Sequence, residues 1–199
     1  MMYKCTHHHN EIIDPIDGDL KKVDIVDQSI DNGINPLMRT YYFHCGRPVH
    51  TEHLPTKLRV SGARHELADY ISFRRVFICS EKCREAIESV EPGVHQFEPV
   101  ELVWKNGEAA GKYFFLIYCN RVFAIDEELT TPPLVSSEKI WMPQNKGEDR
   151  LVFSSERAAQ NHFFINAGLE GSPFCSGVAK DAILNAGLTG FDFKQRDVS

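Results

Sequence analysis

The chain has 199 residues, 42% of them hydrophobic and 25% charged, which is enough apolar content to build a core without disulfides. Its net charge of −6 argues against nucleic-acid binding through a basic face, because phosphate contacts need clustered Lys and Arg. The first residues contain no apolar h-region, so we expect no secretory leader, and no apolar stretch of the sequence reaches membrane-spanning length. We therefore expect a soluble cytoplasmic protein that binds neither nucleic acid nor membranes.

We predict a single domain over residues 1–199, with residues 1–65 as its less regular, acidic and His-rich part. Residues 11–31 interleave acidic side chains with Ile and Val, which predicts an ordered segment rather than a solvated tail. A second acidic group follows a predicted strand at residue 126. These groups are candidates for partner binding, and the alternative is an ordinary solvated surface. The candidate residues are Asp14, Asp17, Asp19, Asp24, Asp27, Asp31, Asp126, Glu127 and Glu128.

The chain between residues 37 and 90 contains the first regular elements. Residues 37–45 read as a strand, and a proline-containing loop follows them. Residues 75–79 (RVFIC) read as a second, short strand. Ser80 is a favourable N-cap residue, so a helix is predicted from there to about Val90, where a Pro-Gly pair ends it.

Further strands are predicted after this helix. Residues 95–105 alternate apolar and polar side chains, an Asn-Gly turn signal follows, and residues 112–119 are rich in aromatic and branched side chains. Together they predict an antiparallel hairpin. Residues 121–126 and 150–154 also read as strands on either side of an irregular segment. Ser154 or Ser155, at the end of the strand predicted at 150–154, can cap a short helix. Residues 162–165 (HFFI) can form a further strand.

The end of the chain repeats the strand and helix pattern. With an offset of 96 residues, Cys79-Ser80 aligns with Cys175-Ser176, and apolar helix positions align after them. Each unit reads as a strand, a serine cap and a helix. We therefore predict an α+β fold in which antiparallel strands carry two similar strand–Ser-capped-helix units, related as an internal repeat over residues 66–194.

The stretch FICSEKCREAIESV contains Cys79 and Cys83. These two cysteines could form a metal or redox site, or they could be buried in the hydrophobic core. Cys83 lies on the apolar stripe of the predicted helix, and the equivalent residue of the second unit is Ala179. The sequence has no Cys-x-x-Cys pair to support redox chemistry. We predict buried, reduced cysteines that behave as small hydrophobic side chains.

Two histidine-rich stretches suggest an alternative function. They hold eight side chains that could bind zinc, namely Cys5, His7, His8, His9, His44, Cys45, His50 and His53. Their spacing matches no common zinc module, so our principal hypothesis needs no cofactor. A zinc-binding metalloprotein or metal-dependent enzyme built on this cluster is the alternative. No hydrolase elbow, phosphate loop, zinc-protease motif or dinucleotide fingerprint is present in the sequence, and we predict that the protein is not an enzyme.

Four segments of the region 66–194 carry a resemblance to a known family. They are DYISFRRVFICSEKCREAIESVEPGVHQFEPVEL, YFFLIYCNRVFAIDEE, RLVFSSE and HFFINAGLEGSPFCSGVAKDAILNAGLTGFDF. The matching features are Asp69 before the Ser80-capped helix, the IDEE end of a strand at Ile125, and the closing helix with GLTGFDF. This succession resembles bacterial immunity-protein family eleven of polymorphic toxin systems, formerly domain of unknown function 1629.

The resemblance implies that the protein binds and neutralises a cognate toxin encoded beside it, without chemistry of its own. The toxin is expected to be a polymorphic or secretion-system effector, for example of type VI, acting in the cytoplasm. A basic nuclease is the partner we expect, because an acidic inhibitor gains association rate by steering and can cover a phosphate-binding cleft. The oligomeric state stays open.

Overall fold

The computed structural model describes residues 1–7, 11–26, 45–74, 76–135, 141–144, 147–169 and 172–199, and within them the fold is mostly β. The strands are β1 (Met2–His7), β2 (Ile12–Pro15), β3 (Lys57–Ser61), β4 (Tyr70–Phe73), β5 (Val76–Cys79), β6 (Gln96–Trp104), β7 (Ala109–Ile117), β8 (Arg121–Val122), β9 (Val152–Phe153), β10 (Phe163–Asn166), β11 (Pro173–Ser176) and β12 (Phe191–Val198). The helices are α1 (Glu81–Glu88), α2 (Ser155–Ala158) and α3 (Gly177–Asn185), with a 3-10 helix at Leu20–Lys22. The strand predicted at 37–45 lies outside the described residues except for Cys45.

The strands form two six-stranded sheets. The curled sheet has the order β2-β3-β6-β7-β5-β4, and the second sheet has the order β8-β10-β11-β1-β12-β9. Both are mixed, because β3 pairs in parallel with β6, β8 with β10, and β9 with β12. The prediction of antiparallel strands is therefore correct only in part. Parallel neighbours need a long crossover, which the elements between β3 and β6 supply.

Strands β6 and β7 form the predicted hairpin. Their antiparallel register runs from Gln96 opposite Ile117 to Leu102 opposite Gly111, with an irregularity just beyond it. The strand predicted at 121–126 is shorter than expected. The Ala124 N–H donates to the side-chain oxygen of Asn166 (2.8 Å) rather than to a strand ladder, so regular pairing ends early.

The two serine-capped units have similar local structure. The Ser80 hydroxyl accepts the Cys83 N–H at the start of α1, and the Ser176 hydroxyl accepts the Ala179 N–H at the start of α3, both at 3.2 Å. Each helix connects two strands of one sheet that are separated by a single antiparallel strand. That strand is β7 between β5 and β6, and β1 between β11 and β12. The repeat in the sequence itself stays a prediction.

Apolar side chains fill three layers. The inner core lies on one face of all six strands of the curled sheet and includes Ile13, Leu58, Val60, Ile71, Phe73, Ile78, Leu102 and Phe115. The middle core includes Tyr3, Cys5, Tyr70, Cys79, Cys83, Ile87, Leu116, Phe163, Cys175 and Ile183, and so joins the two sheets and both longer helices. The outer core includes Met2, Ile125, Phe153, Phe164 and Phe174. Because fully burying such a side chain contributes about 2 kcal/mol, these layers supply the main driving force for folding.

The cysteines of the serine-capped units lie where the core interpretation predicted. Cys79, Cys83 and Cys175 are fully buried, and none of the six cysteines forms a disulfide. Burial raises the pKa of Cys83 well above its ordinary value, and a hydrogen bond with Cys79 adds to the rise. A thiol with a raised pKa is a poor nucleophile, so the core interpretation is confirmed.

Strand β1 lies in the middle of the second sheet, although the sequence analysis predicted no strand there. Tyr3 and Cys5 face the middle core, while Met2 faces the outer core. Its antiparallel pairing with β12 runs from Met2 opposite Arg196 to His7 opposite Phe191. The segment therefore owes its strand conformation to pairing with the other end of the chain.

A buried carboxylate at Glu91 joins the two sheets. It accepts hydrogen bonds from His95 Nε2 (2.9 Å), Asn120 Nδ2 (3.1 Å), and the backbone N–H groups of His162 and Phe163. The Cys119 N–H donates to His95 Nδ1 (3.1 Å), which places the ring proton on Nε2. Burial acts to raise the pKa of Glu91, but the hydrogen bonds from His95, His162 and Phe163 outweigh it and lower the pKa.

Asp69 forms a second junction between the sheets. Its carboxylate accepts from the Ser80 hydroxyl (2.7 Å), the Thr189 N–H (2.9 Å) and the Thr189 hydroxyl (3.0 Å). Burial opposes the ionised form, but these bonds outweigh it and lower the pKa of Asp69. Gly190, at φ +92°, passes so close that a Cβ there would overlap the Tyr70 carbonyl oxygen.

Candidate functional site

The outward face of β2 carries the first predicted acid, Asp14. It forms an ion pair with Arg74 and lies opposite Arg59 in the antiparallel register with β3. Its neighbours on the same face are Ile12 and Ile16, which are 64% and 44% exposed. This face is therefore a mixed apolar and charged surface in which two cations balance the carboxylate.

The next three predicted acids stabilise turns of the backbone. Asp17 accepts the Thr56 N–H (2.8 Å) and hydroxyl (2.6 Å) and the Lys57 N–H (3.1 Å), and the Thr56 hydroxyl contributes most to lowering its pKa. The carboxylate of Asp19 accepts the Lys21 N–H (3.0 Å) and so caps the 3-10 helix. Asp24 accepts the Ile25 N–H (2.8 Å). Asp27 and Asp31 lie outside the described residues.

The second acidic group forms a turn on the other sheet. Asp126 accepts the N–H groups of Glu128 and Leu129, both at 3.1 Å, and donates its own N–H to the Val152 carbonyl. A hydrogen bond from the Ser199 hydroxyl contributes most to lowering the Asp126 pKa. Glu127 and Glu128 are exposed, and Leu129 beside them is 47% exposed. The two acidic groups thus belong to different sheets, and the structure does not bring them together in one cluster.

The structure reveals a groove that the sequence analysis missed. It has a volume of about 360 Å³ and is lined by Glu11, Ile12, Ile13 and Asp14 on one side and by Ser72, Phe73 and Arg74 on the other. Most of these residues belong to the two end strands of the curled sheet, and Glu11 and Arg74 lie directly beside those strands. Periodicity along one strand carries no information about which strands end a sheet, so no local signal could have located the groove.

The described residues among the proposed zinc ligands lie apart from one another, the cysteines in the cores and the histidines on the surface. Cys5 is in the middle core, where burial raises its pKa well above the ordinary value and Cys175 adds to the rise. Cys45 is in the inner core, whereas His50 and His53 are exposed on a loop. Among the residues that the structure describes, no group of three or more His, Cys, Asp or Glu side chains could hold a metal ion. His8, His9 and His44, and the side chain of His7, lie outside that description.

One serine and one histidine meet at hydrogen-bonding distance. His162 Nδ1 lies 2.8 Å from the Ser176 hydroxyl oxygen, which also accepts the Ala179 N–H as the cap of α3. No described carboxylate contacts the other ring nitrogen of His162. The pair therefore lacks the third group that orients a catalytic base, and its role is to cap the helix.

Comparisons with known proteins identify the family. The model of the Immunity protein family (Imm11) matches residues 22–197, which covers most of the chain. A search of the curated proteins found no match. No helix within the described ranges is long and apolar enough to cross a membrane. The match includes the region 66–194, both serine-capped units and both inter-sheet junctions, and the chain belongs to the Imm11 immunity protein family.

Proposed function

We propose that this chain binds a cognate bacterial toxin and neutralises it, protecting the cell that makes both. The observation that carries the proposal is the family match over residues 22–197, since membership of an immunity family implies a toxin-neutralising role. Neutralisation by binding requires a rigid surface and no reactive group. The layered cores and the Glu91 and Asp69 junctions provide such a scaffold.

We further propose that the toxin is a polymorphic or secretion-system effector, such as one of type VI, and that both proteins meet in the cytoplasm. A basic toxin surface, as on a nuclease, suits the net charge of −6. Opposite charges accelerate encounter, and the gain falls as salt screens them. An acidic inhibitor seated on a phosphate-binding cleft would exclude the nucleic-acid substrate.

The acidic turn at 126–128 is the better supported of the two proposed contact regions. Backbone N–H groups fix the Asp126 carboxylate, so its charge is presented without a large loss of side-chain entropy, and the exposed Glu127 and Glu128 follow it in the chain. The exposed Leu129 adds an apolar contact of the kind found within interfaces. At β2 the proposal includes Asp14, Asp17, Asp19, Asp24, Asp27 and Asp31, although Arg59 and Arg74 balance the charge of Asp14.

Co-expression with the toxin encoded by the neighbouring gene tests this function. We expect the chain to restore growth, and Glu128→Lys to slow association several-fold at low salt. Glu85→Lys is the matched control, because Glu85 is exposed on α1, away from the turn, and changes the net charge equally. Unchanged toxicity with the unaltered chain would refute the function. Equal slowing by both variants would refute only the assigned contact region.

A further inference from the structure

The curled sheet leaves two strand edges facing each other across the groove. Its end strands are β2 and β4, and both line the same cavity of about 360 Å³. The ion pair between Asp14 and Arg74 spans this gap. The sheet therefore curls into a near-barrel with one open seam.

On the β4 side, Ser72 presents its backbone to the seam. The Ser80 N–H donates to the Asp69 carbonyl (2.8 Å) at directly opposed positions of the β4–β5 register. In an antiparallel ladder such pairs recur every second residue, so Ile71 pairs with β5 while Ser72 turns its N–H and C=O the other way. The Tyr70 N–H, which turns the same way as Ser72, donates to the Thr189 carbonyl (3.2 Å).

On the β2 side, Ile13 presents its backbone to the seam. The Ile16 N–H donates to the Lys57 carbonyl (3.1 Å), which continues the β2–β3 register. The backbones of Ile12 and Asp14 therefore pair with β3, and the N–H and C=O of Ile13 face the seam. Across the part of the chain that the structure describes, neither Ile13 nor Ser72 has a backbone partner on its seam side.

The directions of the two edges allow one strand to pair with both. The pairings from β2 through β3, β6, β7 and β5 to β4 comprise four antiparallel steps and one parallel step, and four reversals leave β2 and β4 running the same way. A single segment running the opposite way would form antiparallel ladders on both sides. Insertion of that segment would close the sheet and remove its exposed edges.

We propose that an extended segment of the cognate toxin inserts between β2 and β4 and completes the barrel. The inference rests on the proposed function, which supplies a protein partner, and it identifies how that partner is held. Unpaired N–H and C=O groups on both walls are matched by a β-strand, whereas a helix has no backbone groups to offer them. Arg74 already pairs with Asp14, and His65 Nε2 lies 2.7 Å from Glu11, so the seam recognises the segment by its backbone rather than by its charge. Ile12 supplies an exposed apolar contact beside it.

Amide hydrogen exchange in the complex of the full chain with its toxin tests the insertion. We expect the Ser72 and Ile13 amides to exchange at least tenfold more slowly in the complex than in the chain alone. Unchanged exchange at both amides, with the toxin bound, would overturn the insertion while leaving the proposed function intact. Absence of any complex would overturn both. If the Ile13 and Ser72 amides become protected in toxin-free samples as the concentration of the chain rises, a second copy of the chain occupies the seam. That result would also overturn the proposal.

Substitution at Ser72 provides an independent test. Ser72→Pro removes the seam-facing N–H but leaves the β4–β5 ladder intact, because proline is tolerated at an edge position whose N–H points away from the sheet. We expect Kd for the toxin to rise about tenfold, the loss of one backbone hydrogen bond. The control Ser72→Ala keeps the N–H and should bind as the unaltered chain does. Equal affinities for all three proteins would contradict the proposal.

Discussion

The carboxylates at the inter-sheet junctions differ from the carboxylate of the acidic turn at 126–128 in which parts of the fold their hydrogen bonds connect. Glu91 accepts from residues 71 and 72 positions away, and Asp69 from a residue 120 positions away, on the other sheet. Asp126 instead accepts from residues two and three positions away and from the Ser199 hydroxyl, which follows β12 of the same sheet. The same chemical group therefore joins the two sheets in one region and holds a turn on a single sheet in the other. At that turn the side chains of Glu127 and Glu128 stay exposed.

Removing the Glu91 carboxylate should have the largest effect. Glu91→Ala leaves the His162 and Phe163 N–H groups and the His95 ring without their acceptor in a buried site. We expect the free energy of unfolding to fall by about 3 kcal/mol, measured by urea denaturation. Glu85→Ala, an exposed site on α1, is the control and should leave the midpoint in place. A similarly small effect at Glu91 would mean that the junction does not hold the sheets together.

The contrast between local and distant donors also explains what the sequence could predict. The Ser80 cap, the β6–β7 hairpin and the inward-facing cysteines carry local signals, namely a capping residue, an Asn-Gly turn and an apolar stripe, and the structure confirms them. Strand β1 and the Glu91 junction depend on segments far along the chain, and the sequence analysis missed both. Periodicity reports which face of an element is apolar, but it does not report which element lies opposite.

A smaller loss of stability is expected at the second junction. Asp69→Ala removes the acceptor of the Thr189 N–H and hydroxyl and of the Ser80 hydroxyl, at a site that is less deeply buried than Glu91. We expect a decrease of about 2 kcal/mol in the free energy of unfolding. Thr189→Val, which removes only the hydroxyl, should cost less. A larger effect for Thr189→Val than for Asp69→Ala would place the important contact elsewhere.

Acid should weaken both junctions. Hydrogen bonding holds the pKa of Glu91 and of Asp69 below their ordinary values of 4.5 and 3.8, so the folded state binds fewer protons than the unfolded chain in this range. Their contribution to stability is complete above about pH 5 and is lost as the pH falls through the folded-state pKa values. Unfolding measured from pH 6 to pH 3 should show this decline, and Glu91→Gln should flatten it. An unchanged slope in Glu91→Gln would assign the acid sensitivity to other carboxylates.

The smallest effect on stability is expected at the acidic turn. Glu128→Lys alters an exposed side chain, so we expect no resolvable change in the thermal midpoint while association with the toxin slows. The measurement pairs a melting curve with association kinetics on the same preparation. A clear loss of stability in this variant would show that the turn is structural, and would remove the distinction between the two regions.

Titration of the toxin with the purified chain tests the central claim most directly. The toxin encoded beside this chain is held at fixed concentration, and its activity is measured as the chain is added. We predict that activity falls in proportion to the added chain and is abolished once the toxin is saturated, because neutralisation is by binding rather than by turnover. Full toxin activity in the presence of excess folded chain would contradict the account.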